Sequence, residues 1–200
     1  MQEIKLRPLT KSSAVKPTIL YTSIKSDRPM YIESYTELIF AMKLDQDIGV
    51  KYFESQPMSY EIVLNGKARR YTPDFHVIDI NGESTYTEVK SSQYKATDFD
   101  IEKFQLLREG FSKVGISFKV ILVDFSSQYA KNLMFLNRYK YADHLLIKSK
   151  IHYFKGTILD LLNKFNSDDY LCSLYSCMAR GEISYKHNEK ISPLMEVSWS

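Results

Sequence analysis

Two Asn-Gly dipeptides constrain the fold of this chain most strongly, because Asn-Gly between alternating segments is a strong signal for a β-hairpin turn. Asn65-Gly66 follows a run in which every second residue is apolar, namely Met58, Tyr60, Ile62 and Leu64. The predicted return strand covers Arg70 to Ile80, and Asn81-Gly82 then turns the chain into a third strand, Ser84 to Lys90. The pattern therefore predicts an antiparallel meander of three strands.

Helical patterns flank this meander on both sides. Two sets of apolar residues recur at helical spacing: Tyr35, Leu38, Ile39 and Met42 before the meander, and Phe104, Leu107, Phe111 and Val114 after it. Ser34 is placed to cap a helix over Ser34 to Leu44, and Gly115 stands where the second helix should stop. The run from Phe118 to Asp124 predicts a buried strand reached by a crossover connection. The expected fold class is α/β, a mixed sheet with flanking helices.

From about residue 126 the pattern changes to helices followed by short strands. The predicted helices cover Gln128 to Tyr139, Thr157 to Phe165 and Asp169 to Ala179, and the strands cover Glu182 to Tyr185 and Pro193 to Val197. Helices followed by a hairpin fit a small winged-helix-like domain. Its third helix is poor in Lys and Arg, which favours docking to a protein over reading of a DNA major groove. We therefore predict an arm (residues 1–30), an α/β domain (31–127) and a winged-helix-like domain (128–200).

Charge and composition fit an intracellular protein that can contact nucleic acid. The net charge is only +3, but basic residues cluster in the arm: Lys5, Arg7, Lys11, Lys16, Lys25 and Arg28. This basic arm either contacts DNA or is a solvated tail. No signal peptide opens the chain, and the longest aliphatic run, Val120 to Val123, is far shorter than the roughly 20 residues that span a bilayer. Cys172 and Cys177 have no zinc-site companions, so two reduced thiols in a cytoplasmic protein without a membrane partner are expected.

Asp74, Glu88 and Lys90 carry the chemistry that the sequence predicts. Glu88 and Lys90 lie two apart on one strand and therefore share a face. The Asn81-Gly82 turn folds that strand against the one that begins near Asp74, despite a separation of 14 residues (88 − 74). Two carboxylates and the Val89 carbonyl suit Mg²⁺, for which Mn²⁺ is expected to substitute. Such a site activates water and polarises a phosphate, while the lysine orients the water or helps to deprotonate it.

Each of these residues also has a structural interpretation. Glu and Lys two apart on a strand are common as a solvent-facing pair, and Pro-Asp is often only a turn. Glu37 could reach the same site from the first helix, but Ser34-x-x-Glu37 is also a capping box. His76 shares the face of Asp74, where a structural role is favoured over contact with substrate. The order and the joining turn favour catalysis for Asp74, Glu88 and Lys90 taken together.

These residues resemble the PD-(D/E)xK nuclease superfamily, and more closely the TnsA-like transposase endonucleases. The resemblance extends to Glu33-Ser34-Tyr35-Thr36-Glu37, to Gln56-Pro57 and to Tyr71-Thr72-Pro73-Asp74-Phe75, within residues 23–124. It implies a restriction-endonuclease-like fold and a metal-dependent DNA endonuclease. It also implies catalytic roles for Glu37, Asp74 and Lys90 and a metal-ligand role for Glu88.

The resemblance further implies a subunit of a heteromeric transposase that cuts the 5′ ends of a mobile element. The implied partners are double-stranded DNA at the element ends, a TnsB-like DDE transposase and a TnsC-like AAA+ regulator. A stand-alone restriction- or repair-type endonuclease and a non-enzymatic binding module are the alternatives. Phosphate contacts are expected from basic residues near the first hairpin and beyond the third strand: Lys67, Arg69, Arg70 and Lys95.

Overall fold

A computed structural model describes residues 2–4, 18–151, 153–165 and 169–199 of the chain. Of the predicted basic arm, residues 1 and 5–17 lie outside the described residues. The chain divides into two compact units, the first taking residues 1–40 and 49–124 and the second residues 41–48 and 125–200. The division between the units falls within the first long helix, after Phe40.

The first unit is built on strands and two helices, in the order β1 (Gln2–Ile4), β2 (Ile19–Tyr21), β3 (Met30–Ile32), α1 (Tyr35–Gln46, to Phe40), β4 (Val50–Ser55), β5 (Ser59–Leu64), β6 (Lys67–Tyr71), β7 (Phe75–Asp79), β8 (Ser84–Ser91), α2 (Asp98–Ser112) and β9 (Ser117–Val123). Its largest sheet has the order β4-β7-β8-β9. The first three of these strands are antiparallel and β9 is parallel to β8. The predicted mixed sheet with flanking helices is confirmed.

The first Asn-Gly turn forms as predicted. Asn65 and Gly66 have φ values of 52° and 71°, and Leu64 pairs with Lys67, so the loop has two residues with positive φ. Tyr60, Ile62 and Leu64 are buried. The alternation therefore set both the register and the inward face of β5.

The predicted strand Arg70 to Ile80 is wrong, because the chain breaks there and changes sheets. β6 pairs with β5, in a sheet that also holds β1, whereas β7 pairs with β4 and β8. Pro73 lies at the break. It has no N–H to donate to a ladder, so a continuous strand would lose a hydrogen bond there. The predicted three-strand meander is thus two hairpin-like pairs in two sheets.

α2 and β9 form where the sequence predicts them, but β9 is not the buried strand that was expected, because it stands last in the order of its sheet and Leu122 is 55% exposed. Thr97 caps α2, since its hydroxyl accepts from the Asp100 N–H while the Asp100 carboxylate accepts from the Thr97 N–H. Gly115 has a φ of 74° just beyond the helix, as a helix stop requires. Val114 was predicted to be on the apolar face but is 66% exposed, because the helix ends two residues earlier at Ser112.

The main sheet of the first unit buries aromatic residues on both faces. Toward α2, the buried cluster contains Tyr60, Ile62, Tyr71, Tyr86, Phe104, Leu107, Phe111 and Phe118. On the side of α1, the Phe75 ring lies 5.3 Å from the Phe40 ring in an edge-on arrangement. This packing anchors β7 and β8, the strands on which the predicted site lies.

The second unit combines helices with a small sheet. Its further elements are α3 (Gln128–Leu136), α4 (Leu145–Lys148), β10 (Phe154–Thr157), α5 (Ile158–Asn163), α6 (Asp169–Ala179), β11 (Ser184–Tyr185) and β12 (Glu196–Trp199). The sheet has the order β10-β12-β11 and is antiparallel. The sequence pattern located three of these helices and both late strands, but it missed α4 and β10. Within the described part of the chain, no helix is long and apolar enough to cross a membrane.

Candidate active site

Asp74 is fixed by backbone hydrogen bonds at the start of β7. Its N–H donates to the Thr87 carbonyl at 3.0 Å, and its carbonyl accepts from the Gln56 N–H at 2.8 Å. Its side chain takes the place of the next backbone hydrogen bond between the two strands, because Asp74 Oδ2 accepts from the Val89 N–H at 2.6 Å. The chain break at Pro73 therefore aims this carboxylate at the backbone of β8 between Glu88 and Lys90.

Glu88 and Lys90 lie on the same face of β8, as predicted. Lys90 Nζ is 2.7 Å from Glu88 Oε1. Glu88 is only 5% exposed, and its other carboxylate oxygen accepts a hydrogen bond from the Tyr71 hydroxyl at 2.8 Å. A buried carboxylate needs such donors to stay charged.

Lys103 of α2 is a fourth charged residue at this point, and the sequence analysis missed it. Its Nζ is 3.5 Å from Glu88 Oε1 and 5.0 Å from the centre of the Tyr71 ring. The signal that could have found it is its helical position. Lys103 lies four residues before Leu107 and eight before Phe111, so it continues their buried stripe toward the helix start.

The charges of the site perturb one another. Burial raises the pKa of Asp74 to about 7, and the negative charge of Glu88 acts in the same direction. Burial also pushes the pKa of Glu88 upward, but the Lys90 and Lys103 ammonium groups outweigh it and hold the pKa below its ordinary value. Burial lowers the pKa of Lys90, yet its ion pair with Glu88 leaves that pKa raised. Lys90 is therefore a cation at neutral pH.

Asp74 and Glu88 form a donor set that fits a hard divalent cation. They are two acidic groups whose mutual repulsion contributes to the raised pKa of Asp74, and a divalent cation would relieve that repulsion. The N–H and the carbonyl of a strand residue point to the same side, so the Val89 carbonyl faces the edge where Asp74 lies. Among the described residues, no cluster of three or more His, Cys, Asp or Glu side chains is arranged as a metal site. The fit thus rests on two carboxylates and a carbonyl.

Glu37 acts as a helix cap in this structure. Its N–H donates to Ser34 Oγ at 3.1 Å, and its carboxylate accepts from the Ser34 hydroxyl at 2.7 Å and from the Glu33 N–H at 3.0 Å. Its negative charge is also one of the influences that raise the pKa of Asp74. Glu37 is therefore close enough to act electrostatically on Asp74, while its carboxylate accepts hydrogen bonds at the start of α1.

The predicted DNA-contacting residues lie on the surface of the first unit. We define the β6 basic strip as Lys67, Arg69 and Arg70, all of which are exposed. Arg69 lies over the Phe99 ring at 5.3 Å, and the Arg70 guanidinium donates to Ser59 Oγ at 2.6 Å. Lys95 is exposed in the loop between β8 and α2. These positions are accessible to a phosphate backbone.

His76 has structural partners that account for it. Its Nε2 is 2.6 Å from Ser84 Oγ, its Nδ1 is 3.7 Å from Glu54 Oε1, and its ring packs on Tyr86 at 4.9 Å. These contacts tie β7 to its neighbours on both sides and agree with the structural role that the sequence analysis favoured.

Residues 47–123 match the protein family described as TnsA-like endonuclease N terminal. The matched segment contains Asp74, Glu88, Lys90 and Lys103 but not Glu37. No curated protein matches the chain. The predicted resemblance to TnsA-like endonucleases is confirmed for this segment, and it supports a nuclease of the transposase type.

Proposed function

We propose that this chain, with its TnsA-like endonuclease segment, is the metal-dependent subunit of a heteromeric transposase that hydrolyses phosphodiester bonds at the 5′ ends of a mobile element. The observation that carries the proposal is the convergence of Asp74, Glu88 and Lys90 within the matched segment. In a solvent-facing Glu-Lys pair the glutamate would not be 5% exposed, and no second carboxylate would be bonded to the backbone between the two residues.

Asp74, Glu88 and the Val89 carbonyl would hold Mg²⁺, with Mn²⁺ as a substitute. When bound, the ion lowers the pKa of a water molecule and stabilises charge on the phosphate and the leaving oxygen. Glu37 would join these ligands only by giving up its hydrogen bonds at the start of α1. In the hydrolysis, the water oxygen bonds to phosphorus and the bond from phosphorus to the leaving sugar oxygen breaks.

Lys90 supplies a fixed positive charge beside this reaction. Its Nζ lies 2.7 Å from Glu88 Oε1, so it would orient water or phosphate by donation. Its role is therefore that of an electrostatic partner of the phosphate.

DNA is held by basic groups on the surface of the first unit. The β6 basic strip and Lys95 are exposed, and contacts of this kind neutralise phosphates without reading the sequence. The basic arm of residues 1–30 would add further contacts. Recognition of the element ends then falls to partner proteins.

The second unit is a winged-helix-like module that docks to protein. Helices α5 and α6 lie in sequence between β10 and β11, and β12 pairs between these two strands, which is the order expected of a helical pair followed by a wing. The α6 sequence contains no Lys or Arg, so a role in the DNA major groove is disfavoured. A TnsB-like DDE transposase and a TnsC-like AAA+ regulator are the proposed partners.

The test is DNA cleavage in Mg²⁺ by the full-length protein, alone and with candidate DDE and AAA+ partner proteins. The substrate carries the element ends, and each strand is labelled separately. Cutting at 5′ ends that requires the partners supports the proposal. Efficient cutting by the protein alone would instead indicate a stand-alone endonuclease, and the absence of cutting under all conditions would contradict both.

A further inference from the structure

We infer that Lys103 is an additional residue of the active site, which binds a DNA backbone phosphate and, without DNA, rests on Glu88. The inference rests on the proposed nuclease function and adds a residue to its site. The observation behind it is the arrangement of two ammonium groups, those of Lys90 and Lys103, on one carboxylate oxygen.

Lys103 is a cation at a position with little exposure to solvent. Its side chain is 19% exposed, and its Nζ lies near the faces of the Tyr71 and Phe104 rings. An apolar residue would continue the buried stripe of α2, and burial of an ammonium group costs free energy unless a partner compensates for it. A lysine at such a position therefore requires a negative partner.

Glu88 is a negative partner of Lys103, but it has closer donors than Lys103. Lys90 Nζ is 2.7 Å from Glu88 Oε1, and the Tyr71 hydroxyl occupies Oε2, so both carboxylate oxygens already have a close donor. Lys103 is the more distant donor, at 3.5 Å, the outer limit of a hydrogen bond. Its ammonium group is thus the one most easily transferred to a phosphate oxygen, which offers a stronger charge-assisted bond.

This arrangement predicts effects of opposite sign when the charge of Lys103 is removed. DNA binding should weaken, because one phosphate contact is lost. Binding of a divalent cation by Asp74 and Glu88 should tighten, because a competing positive charge beside Glu88 is gone. A lysine that merely supports the fold would weaken both when replaced.

The experiment compares Lys103→Gln with Lys113→Gln, a matched change at the exposed lysine that caps the end of the same helix. Binding of a short DNA duplex is measured by fluorescence anisotropy in EDTA, and binding of Mn²⁺ without DNA is measured by electron paramagnetic resonance. For Lys103→Gln we expect DNA binding to fall by roughly three- to tenfold and Mn²⁺ binding to rise by roughly threefold or more. Lys113→Gln should leave both within about twofold of the wild type.

A change of the same sign in both affinities, or no change in either, would overturn the inference. If the wild-type protein binds neither DNA nor Mn²⁺, the proposed function fails, and the inference fails with it. If the wild type binds both and Lys103→Gln behaves like Lys113→Gln, only the inference fails.

A second measurement needs no variant. In the wild-type protein, a DNA duplex in EDTA should protect Lys103 from amine-specific methylation, as read by mass spectrometry, more than it protects Lys113. Equal modification of Lys103 with and without DNA would contradict the phosphate contact even if Lys103→Gln did not fold.

Discussion

Replacement of Tyr71 by Phe should destabilise the first unit without creating a cavity. The change removes only the hydroxyl that donates to Glu88 Oε2 at 2.8 Å, and both residues are buried. A hydrogen bond to a charged group contributes about 1.5–3 kcal/mol, and its loss leaves one oxygen of a buried carboxylate with less compensation. We expect the free energy of unfolding to fall by about 2 kcal/mol, equivalent to a Tm lower by about 8 °C for a unit of this size.

Differential scanning calorimetry is the appropriate assay, because it can resolve separate transitions in a chain of two compact units. Tyr35→Phe is the matched control, since its ring is 61% exposed, and it should change stability by less than about 0.5 kcal/mol. In a Glu88→Gln background, the Tyr71→Phe change should cost about 1 kcal/mol less, because the acceptor is then neutral. Equal losses in the two backgrounds, or a loss no larger than that of the control, would refute the hydrogen-bond argument.

Three further predictions follow from other parts of the chain. Replacing the three residues of the β6 basic strip by Gln should reduce the slope of log K for DNA against log salt by about 2 to 3, and an unchanged slope in a salt titration would exclude these contacts. Cys172 is exposed, whereas burial raises the pKa of Cys177 to about 12, so a thiol reagent at pH 8 should modify one thiol in the native protein and two after denaturation. Fast native modification of both would contradict the burial. Gly181→Ala should destabilise strongly, because φ is +72° and a Cβ would lie 1.8 Å from the Gln46 carbonyl oxygen, whereas Gly82→Ala, with open space, should cost only about 1–2 kcal/mol in thermal unfolding. Similar losses for the two glycines would argue against that contact.

Local rules predicted the parts of the fold that depend on neighbouring residues. The alternation up to Leu64 and the Asn65-Gly66 turn gave the β5–β6 hairpin, because both the turn and the buried face are encoded within a few residues. The spacing of Phe104, Leu107 and Phe111 gave α2, since all three face one core.

The parts that were missed depend on distant partners. β4 shows no alternation of apolar and polar residues in Val50–Ser55, and it is a strand because β7 supplies its ladder. The break at Pro73 was hidden because residues on either side of it have strand-like composition. Only the pairing of β6 with β5, and of β7 with β4, shows that they belong to different sheets.

The candidate site was predicted as far as single strands allow. Because Glu88 and Lys90 are two residues apart on β8, they were predicted to share one face of the strand. The Asn81-Gly82 turn was predicted to bring Asp74 beside them. Tyr71 was noted only as part of a motif, and Lys103 was not noted at all. Both reach Glu88 through tertiary packing of β6 and α2, which no local pattern in the sequence specifies.

The most direct test of the central claim is the rate of Mg²⁺-dependent DNA cleavage by Asp74→Asn, measured with whichever partner proteins support cutting by the wild type. Asp98→Asn is the matched control, because Asp98 is exposed in the first turn of α2. We predict that Asp74→Asn lowers the rate by about 10²-fold or more while folding normally, and that Asp98→Asn stays within about threefold of the wild type. Cleavage by Asp74→Asn at the wild-type rate would contradict the claim, because it would show that the reaction does not depend on this carboxylate.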